Sequence, residues 1–237
     1  MQLFYNPQIN STEKEITFSR EESKHIVKVL RKNTGDLLNI TNGTGSLFEC
    51  EITLATPNKC IAKGLKEIKQ PVPKIKIHIA VAPTKMNDRL EWFLEKATEI
   101  GVTEITPIIC NHSERKVVKT ERFQKIIQSA AKQSLRYHFP IINPTISFKD
   151  FITTHKNEHL FIAHCDKQHK QSLKSKIKPN NNSSYTVLIG PEGDFSIDEI
   201  KLALENNYEP VSLGNTRLRT ETAALVATHS IIFGLEE

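Results

Sequence analysis

The sequence of 237 residues has only four cysteines, and none stands in a C-x-x-C pair. Cys50, Cys60, Cys110 and Cys165 are scattered, and no Cys/His spacing matches a structural zinc site. The cluster His164-Cys165-Asp166 near His169 lacks the spacing and partners of a metal centre, so no metal is expected. The thiols are expected to stay reduced, as in a cytosolic protein. No apolar run is long enough to span a bilayer, and the first residues carry no signal pattern. The expectation is a soluble, cytoplasmic protein without a membrane partner. There is no internal repeat. Neither G-x-G-x-x-G nor G-x-x-x-x-G-K-[ST] occurs, which excludes the dinucleotide fingerprint and the phosphate loop.

What is present is a modest positive charge, unevenly spread. The net charge is +5 and the sequence pI is about 8.9. From Cys110 to Pro140 seven Lys/Arg face only Glu114 and Glu121, so this one segment carries a surplus equal to the whole chain's +5. Such a segment suits an anionic partner, and equally a solvated helix face.

Residues from Met1 to about Ile68 read as a small β-rich domain. Short strands are expected at 2–5, 15–18, 37–41, 47–54 and 59–65, with turns at Gly35-Asp36, Asn42-Gly43 and Pro57-Asn58. Regular short strands of this kind suggest a small barrel. Ser19 and Glu22 stand at capping-box spacing before a helix running to Arg31. Two prolines in Lys69-Gln-Pro-Val-Pro-Lys74 favour an extended linker. Beyond it strands and helices alternate, the pattern of an α/β domain. Strands are expected at 75–81, 105–109 and 160–163. Helices are expected at 88–100, ended by Gly101, from Thr120 onward, and at 168–177. A polar loop, Pro179–Ser184, follows. The division is therefore residues 1–70 and 75–237.

The stretch from Thr186 to Leu225 concentrates the chemistry. Val187-Leu188-Ile189 reads as a buried parallel strand, and Gly190-Pro191-Glu192-Gly193 follows it as a loop. Ser196 and Glu199 then form a second capping-box pair. Val211–Leu213 reads as another strand, ended by Gly214. Thr216–Thr222, with Arg217, Arg219 and Glu221, leads into a last helix over 223–233. Two strand ends, each running through a loop into a helix, make a crevice at the carboxyl edge of a sheet, where open α/β sheets bind ligands.

GPEGDFSIDEI followed by LGNTRLRTETAAL resembles the paired C-terminal motifs of RsmE-type enzymes, SPOUT-superfamily methyltransferases that act on N3 of a uridine in small-subunit ribosomal RNA. One departure is Asp194, where the family usually has glycine. Lys85 with Arg89, Glu95-Lys96-Ala-Thr-Glu99-Ile-Gly101, and Gln133-Ser134-Leu-Arg136 resemble further family segments, with Lys132 in place of a Glu. His25–Arg31 followed by Gly35-Asp36 resembles the family's amino-terminal region, although Gln2 replaces the usual basic residue.

The resemblance implies a SPOUT-type α/β domain with a C-terminal trefoil knot, a PUA-like RNA-binding domain before it, and a homodimer. It implies S-adenosyl-L-methionine as cofactor and ribosomal RNA or the small subunit as partner. The cofactor needs main-chain donors and acceptors beside small apolar groups. Leu188, Ile189, Gly190, Pro191 and Gly193 of the first loop supply these, with Leu213, Gly214, Leu218, Thr220, Thr222 and Ala223 of the second. Ala163 and His164 form a third wall. RNA contacts are assigned to Arg20, Lys24, Arg31, Lys85, Arg89, Arg115, Lys116 and Arg136. As the uridine N3 proton leaves, negative charge spreads to the flanking carbonyls. Arg219 is the candidate cation for that charge. Glu221 is the nearest candidate to take the proton; as the alternative it favours the helix dipole or binds Arg217. Two other functions fit the same residues: a ribose 2′-O methyltransferase on another RNA, and a non-catalytic RNA-binding assembly factor.

Overall fold

The computed structural model describes residues 2–12, 15–155, 157–165, 170–177 and 183–235. It forms two compact units, one of residues 1–72 with 131–139, the other of residues 73–130 with 140–237. Asp166, His169, the start of the expected 168–177 helix and most of the 179–184 loop lie outside the described residues.

The first unit contains β1 (Leu3–Tyr5), β2 (Glu15–Thr17), α1 (Arg20–Lys24), β3 (Leu37–Thr41), β4 (Ser46–Thr56) and β5 (Lys59–Lys69). Its sheet runs β1-β3-β4-β5-β2, with β1 parallel to β3 and the other pairs antiparallel. Among the described residues no β1–β2 pairing closes the ring, so the expected barrel is an open five-stranded sheet. Register shifts at Glu49/Cys50 and Ile52/Leu54 bend the long β4–β5 ribbon. Phe4, Phe18, Ile26, Ile40, Phe48 and Ile52 fill its core. Ser19 caps α1 by accepting from the Glu22 N–H at 3.2 Å. The expected helix to Arg31 is interrupted. His25–Val29 widens into a π turn, and Arg31, at φ +55°, ends it. Residues 131–139, which sequence order alone places in the second domain, join this unit. The Gly45 N–H donates to Tyr137 O at 2.9 Å, and the Phe139 ring lies 4.8 Å from that of Tyr5.

The second unit continues with β6 (Lys76–Val81), α2 (Asn87–Ile100), β7 (Glu104–Ile109), α3 (Thr120–Gln133), β8 (Ile141–Ile142), β9 (Ile146–Ser147) and α4 (Phe148–Thr154). Then come β10 (His159–Ala163), β11 (Gln171–Ser172), α5 (Leu173–Lys176), β12 (Ser184–Ile189), α6 (Ile197–Glu205), β13 (Glu209–Ser212) and α7 (Thr220–Leu235). The sheet order is β11-β13-β10-β12-β6-β7-β8, with β9 also on β7, and these pairings are parallel. Side chains alternate across a strand, so one sequence feeds two cores. Ile77, Ile79 and Val81 of β6 join Val187 and Ile189 of β12 on the face covered by α2, α3 and α7. Ala80 and Leu188 face the other way, onto α4 and α6.

Gly101, at φ +130°, ends α2, and Ser196 with Glu199 makes both arms of a capping box on α6. The last helix starts three residues before the expected Ala223. The Ala223 N–H already donates to Arg219 O at 2.8 Å, so Thr220, Glu221 and Thr222 are its first turn, not a loop.

Candidate active site

Parallel register brings the ends of β10, β12 and β13 side by side. Ala163 is opposite Ile189 on one flank and Val211 on the other. The three following loops therefore leave one edge of the sheet. They enclose two adjoining cavities of about 630 and 260 Å³. Ala163, Cys165, Asp194, Arg217, Leu218 and Ala223 line both. His164, Leu213 and Gly214 line the larger one, and Ile189, Gly190, Pro191, Arg219 and Thr220 the smaller. The Thr220 hydroxyl donates to Gly190 O at 3.0 Å, which joins the first turn of α7 to the loop after β12.

That loop is tightly built. A Cβ on Gly190 would lie 3.1 Å from the Phe195 ring, so a side chain there meets Phe195. Asp194 occupies the left-handed region at φ +63°, the conformation for which glycine is the usual residue. Its carboxylate compensates by accepting from the Phe195 N–H at 2.8 Å and the Cys165 N–H at 2.7 Å. The second of these bonds fastens the β12 loop to the β10 loop. Thus Asp194 ties two loops of the site together.

The loop after β13 turns at Gly214, whose φ of +129° suits glycine. The Arg217 guanidinium reaches Glu192 O at 3.4 Å, again joining the two loops. Arg219 is exposed at the amino end of α7 and lines the smaller cavity. Glu221 is buried and lines neither cavity. Its carboxylate is 4.0 Å from Arg89 Nε, not beside Arg217 as the sequence alternative had it.

Three other expected cofactor residues stand outside the two cavities. Leu188 is in the core on the α4–α6 face, Thr222 follows Glu221 on α7, and Gly193 is exposed beside His112. Sequence reasoning missed Cys165, Lys170 and His112, which arrive from loops without any motif, and Ser212 at the end of β13. The Lys170 ammonium donates to His164 O. Burial, with Asp194 nearby, holds the Cys165 thiol above its ordinary pKa, so it is not a poised thiolate.

The expected RNA residues divide. In the first unit Arg20 and Lys24 line a groove with Lys28 and Asn58, while Arg31 makes the left-handed turn. Arg136 is half-buried, and burial pushes its guanidinium below its ordinary pKa. In the second unit Lys85 pairs with Glu114 at 2.9 Å, and Arg115 donates to Lys85 O at 2.8 Å. Lys116 is exposed. Lys96 lies between Glu95 and Glu99 at 2.7 and 2.9 Å, a surface cluster worth little. At the opposite sheet edge His78, Glu104 and His155 bring ligating atoms within 4.8 Å of one another, but His78 Nε2 is already 2.7 Å from the Thr106 hydroxyl. No helix among the described residues is long and apolar enough to cross a membrane.

A parallel sheet with its loops gathered at one carboxyl edge, in a chain that also carries a small β unit, defines the class. The profile of the RNA methyltransferase domain matches residues 70–232, and that of the RNA methyltransferase PUA domain matches residues 18–63. A ribosomal RNA small subunit methyltransferase E from Rickettsia conorii is 33% identical over 215 residues, 90% of this chain and 87% of that one. The chain belongs to the ribosomal RNA small subunit methyltransferase E family. The crystal structure of a probable rRNA-methyltransferase from Porphyromonas gingivalis has a TM-score of 0.88 at 38% identity, covering 98% of each chain. The family enzyme from Neisseria gonorrhoeae, crystallised with S-adenosyl methionine, has a TM-score of 0.82 at 26% identity, over 98% of this chain and 96% of that one.

Proposed function

We propose that this chain uses S-adenosyl-L-methionine to methylate N3 of a uridine in the 16S RNA of the small ribosomal subunit. The observation that carries the proposal is the convergence of three strand-end loops on one pair of cavities, with Arg219 at their edge. S-adenosylmethionine, when bound, supplies an electrophilic methyl group on a sulfonium. The lining fits such a molecule. Ala163, Leu213, Leu218 and Ala223 offer apolar surface for the adenine ring, and the strand ends offer main-chain groups for its edge. Gly214 leaves open space where a side chain would stand.

On the RNA side, Arg219 holds a fixed positive charge at the amino end of α7, where the helix dipole adds to it. Both favour the charge that spreads over the uridine carbonyls as N3 loses its proton. One such donor is worth about 2.7–4 kcal/mol. Glu221 acts as an anchor in this reading. Its burial and its Arg89 partner keep it from the reach that a proton acceptor needs. Orientation of the base toward the methyl carries much of the remaining acceleration.

The finer features follow the family. The first unit holds RNA through the Arg20–Lys24–Lys28 groove. The chain after β13 closes a trefoil knot, a reading supported by β10 pairing between β12 and β13. The enzyme works in the cytoplasm as a homodimer, supported by Trp92 on α2 and Phe233 on α7, which are 43% and 45% exposed although large and apolar. Mass-spectrometric analysis of ribosomal RNA nucleosides from a deletion strain tests the proposal. Loss of N3-methyluridine, restored by this chain, is the expected result. Loss of a ribose-methylated nucleoside instead would refute it.

A further inference from the structure

The loop after β7 carries a histidine with no part in the site as read from sequence. His112 Nδ1 lies 3.1 Å from Gly193 O and 3.0 Å from Asp194 O. Both partners are carbonyls, so only an N–H on Nδ1 satisfies them, which fixes the proton on that nitrogen. The histidine packs so close to the loop that a Cβ on Gly193 would be 3.1 Å from His112 Cβ. Glycine at this position therefore makes room for the first carbon of the histidine side chain. The histidine's own loop is anchored in turn. The Asn111 N–H donates to Glu199 Oε1 at 2.8 Å, and the Cys110 N–H to Ser113 Oγ at 3.0 Å.

We infer that His112 is a positioning residue for the methyl-donor loop. It clamps the Gly193 and Asp194 carbonyls without lining either cavity, while the Asp194 carboxylate holds Cys165, which lines both. Asp194 takes the left-handed region, and the imidazole gives the Gly193 and Asp194 carbonyls a shared donor. With the clamp in place, the Gly190–Asp194 backbone is held ready for the cofactor and need not be ordered on binding. The same loop continues to Arg115, so the basic segment and the donor loop are joined by a direct contact. This inference rests on the methyl-donor reading of the cavities.

The test measures S-adenosylhomocysteine binding by calorimetry, with KM for S-adenosylmethionine and for RNA, in the full chain. His112→Ala is expected to weaken S-adenosylhomocysteine binding about tenfold. KM for the methyl donor should rise while KM for RNA stays. His112→Asn places an N–H near the Nδ1 position and should recover most of the affinity, whereas a purely space-filling role would not be rescued. Gly193→Ala should weaken binding in the wild-type background and add less in His112→Gly, because the crowded atom is His112 Cβ, which glycine removes. Unchanged binding by a folded His112→Ala overturns the inference, as does failure of His112→Asn to recover. Absence of binding by the wild-type protein overturns the methyl-donor reading itself, and this inference with it.

Discussion

Thr220 and Gly190 stand 30 residues apart in sequence, and the hydroxyl of one donates to the carbonyl of the other across 3.0 Å. Both are buried, so this bond is the direct tie between the last helix and the loop after β12. Thr220→Val keeps the shape and leaves a buried carbonyl unpaired, at a cost of about 1–3 kcal/mol. Urea denaturation should show that loss, and cofactor affinity should fall with it. Thr220→Ser should restore both.

Arg219→Ala should separate binding from chemistry. The residue is exposed and its side chain supports no core contact, so stability and S-adenosylhomocysteine affinity should hold. Turnover should fall by about 10²–10³-fold. Single-turnover methylation with saturating cofactor reads this directly, and full activity would remove Arg219 from the mechanism.

Glu221 and Arg89 provide the contrasting case. Arg89 is 37% exposed and its partner 9%, so the pair is partly screened. Arg89→Ala should cost about 1 kcal/mol in denaturation. Glu221→Gln should keep turnover within about tenfold, below the 10²–10⁴ that a proton acceptor contributes. A larger drop in Glu221→Gln with unchanged stability would return the proton-accepting role to that carboxylate.

Stability should weaken on acidification for a reason unrelated to catalysis. Burial lowers the His78 pKa to about 4, with Glu104 opposing and His155 adding to the shift. An unfolded histidine titrates near 6.5. Between those values the unfolded chain binds a proton that the folded chain refuses, so stability is full above about 6.5 and is lost as the pH falls toward 4. The loss is on the order of 3 kcal/mol. Denaturation midpoints measured from pH 7 to 4 should show it, and His78→Gln should flatten the slope.

Salt dependence tests the basic segment. Arg115 is occupied by the Lys85 carbonyl, whereas Lys116 and Lys119 are exposed. Lys116→Glu with Lys119→Glu should weaken RNA binding and flatten the salt slope by about 1.4 for a single strand. An unaltered slope would make the segment an ordinary solvated helix approach.

Much of the architecture is written in local pattern. Alternation and apolar runs place β6, β7, β10 and β13 within two residues, because a buried parallel strand leaves little choice of side chain, whereas β12 starts three residues before the expected run and the two-residue β8, β9 and β11 carry no such run. Gly101 and the Ser196–Glu199 pair mark helix ends because their backbone groups need those partners. The π turn at His25–Val29 and the early start of α7 were not legible: no local residue marks the first, and at the second the Thr220 hydroxyl is tied to Gly190, 30 residues away.

The sequence by itself determined the order of elements, the two motif-bearing loops and the candidate Arg219, since each depends on neighbours within a few residues. Tertiary structure alone decided that Glu221 faces Arg89, that Gly193 lies beside His112, and that Asp194 fastens Cys165. These contacts join segments far apart in sequence: α7 meets α2, and the loop after β12 meets those after β7 and β10, because the parallel sheet sets those elements side by side. Distance along a chain sets what a pattern can reveal; distance in space sets which groups interact.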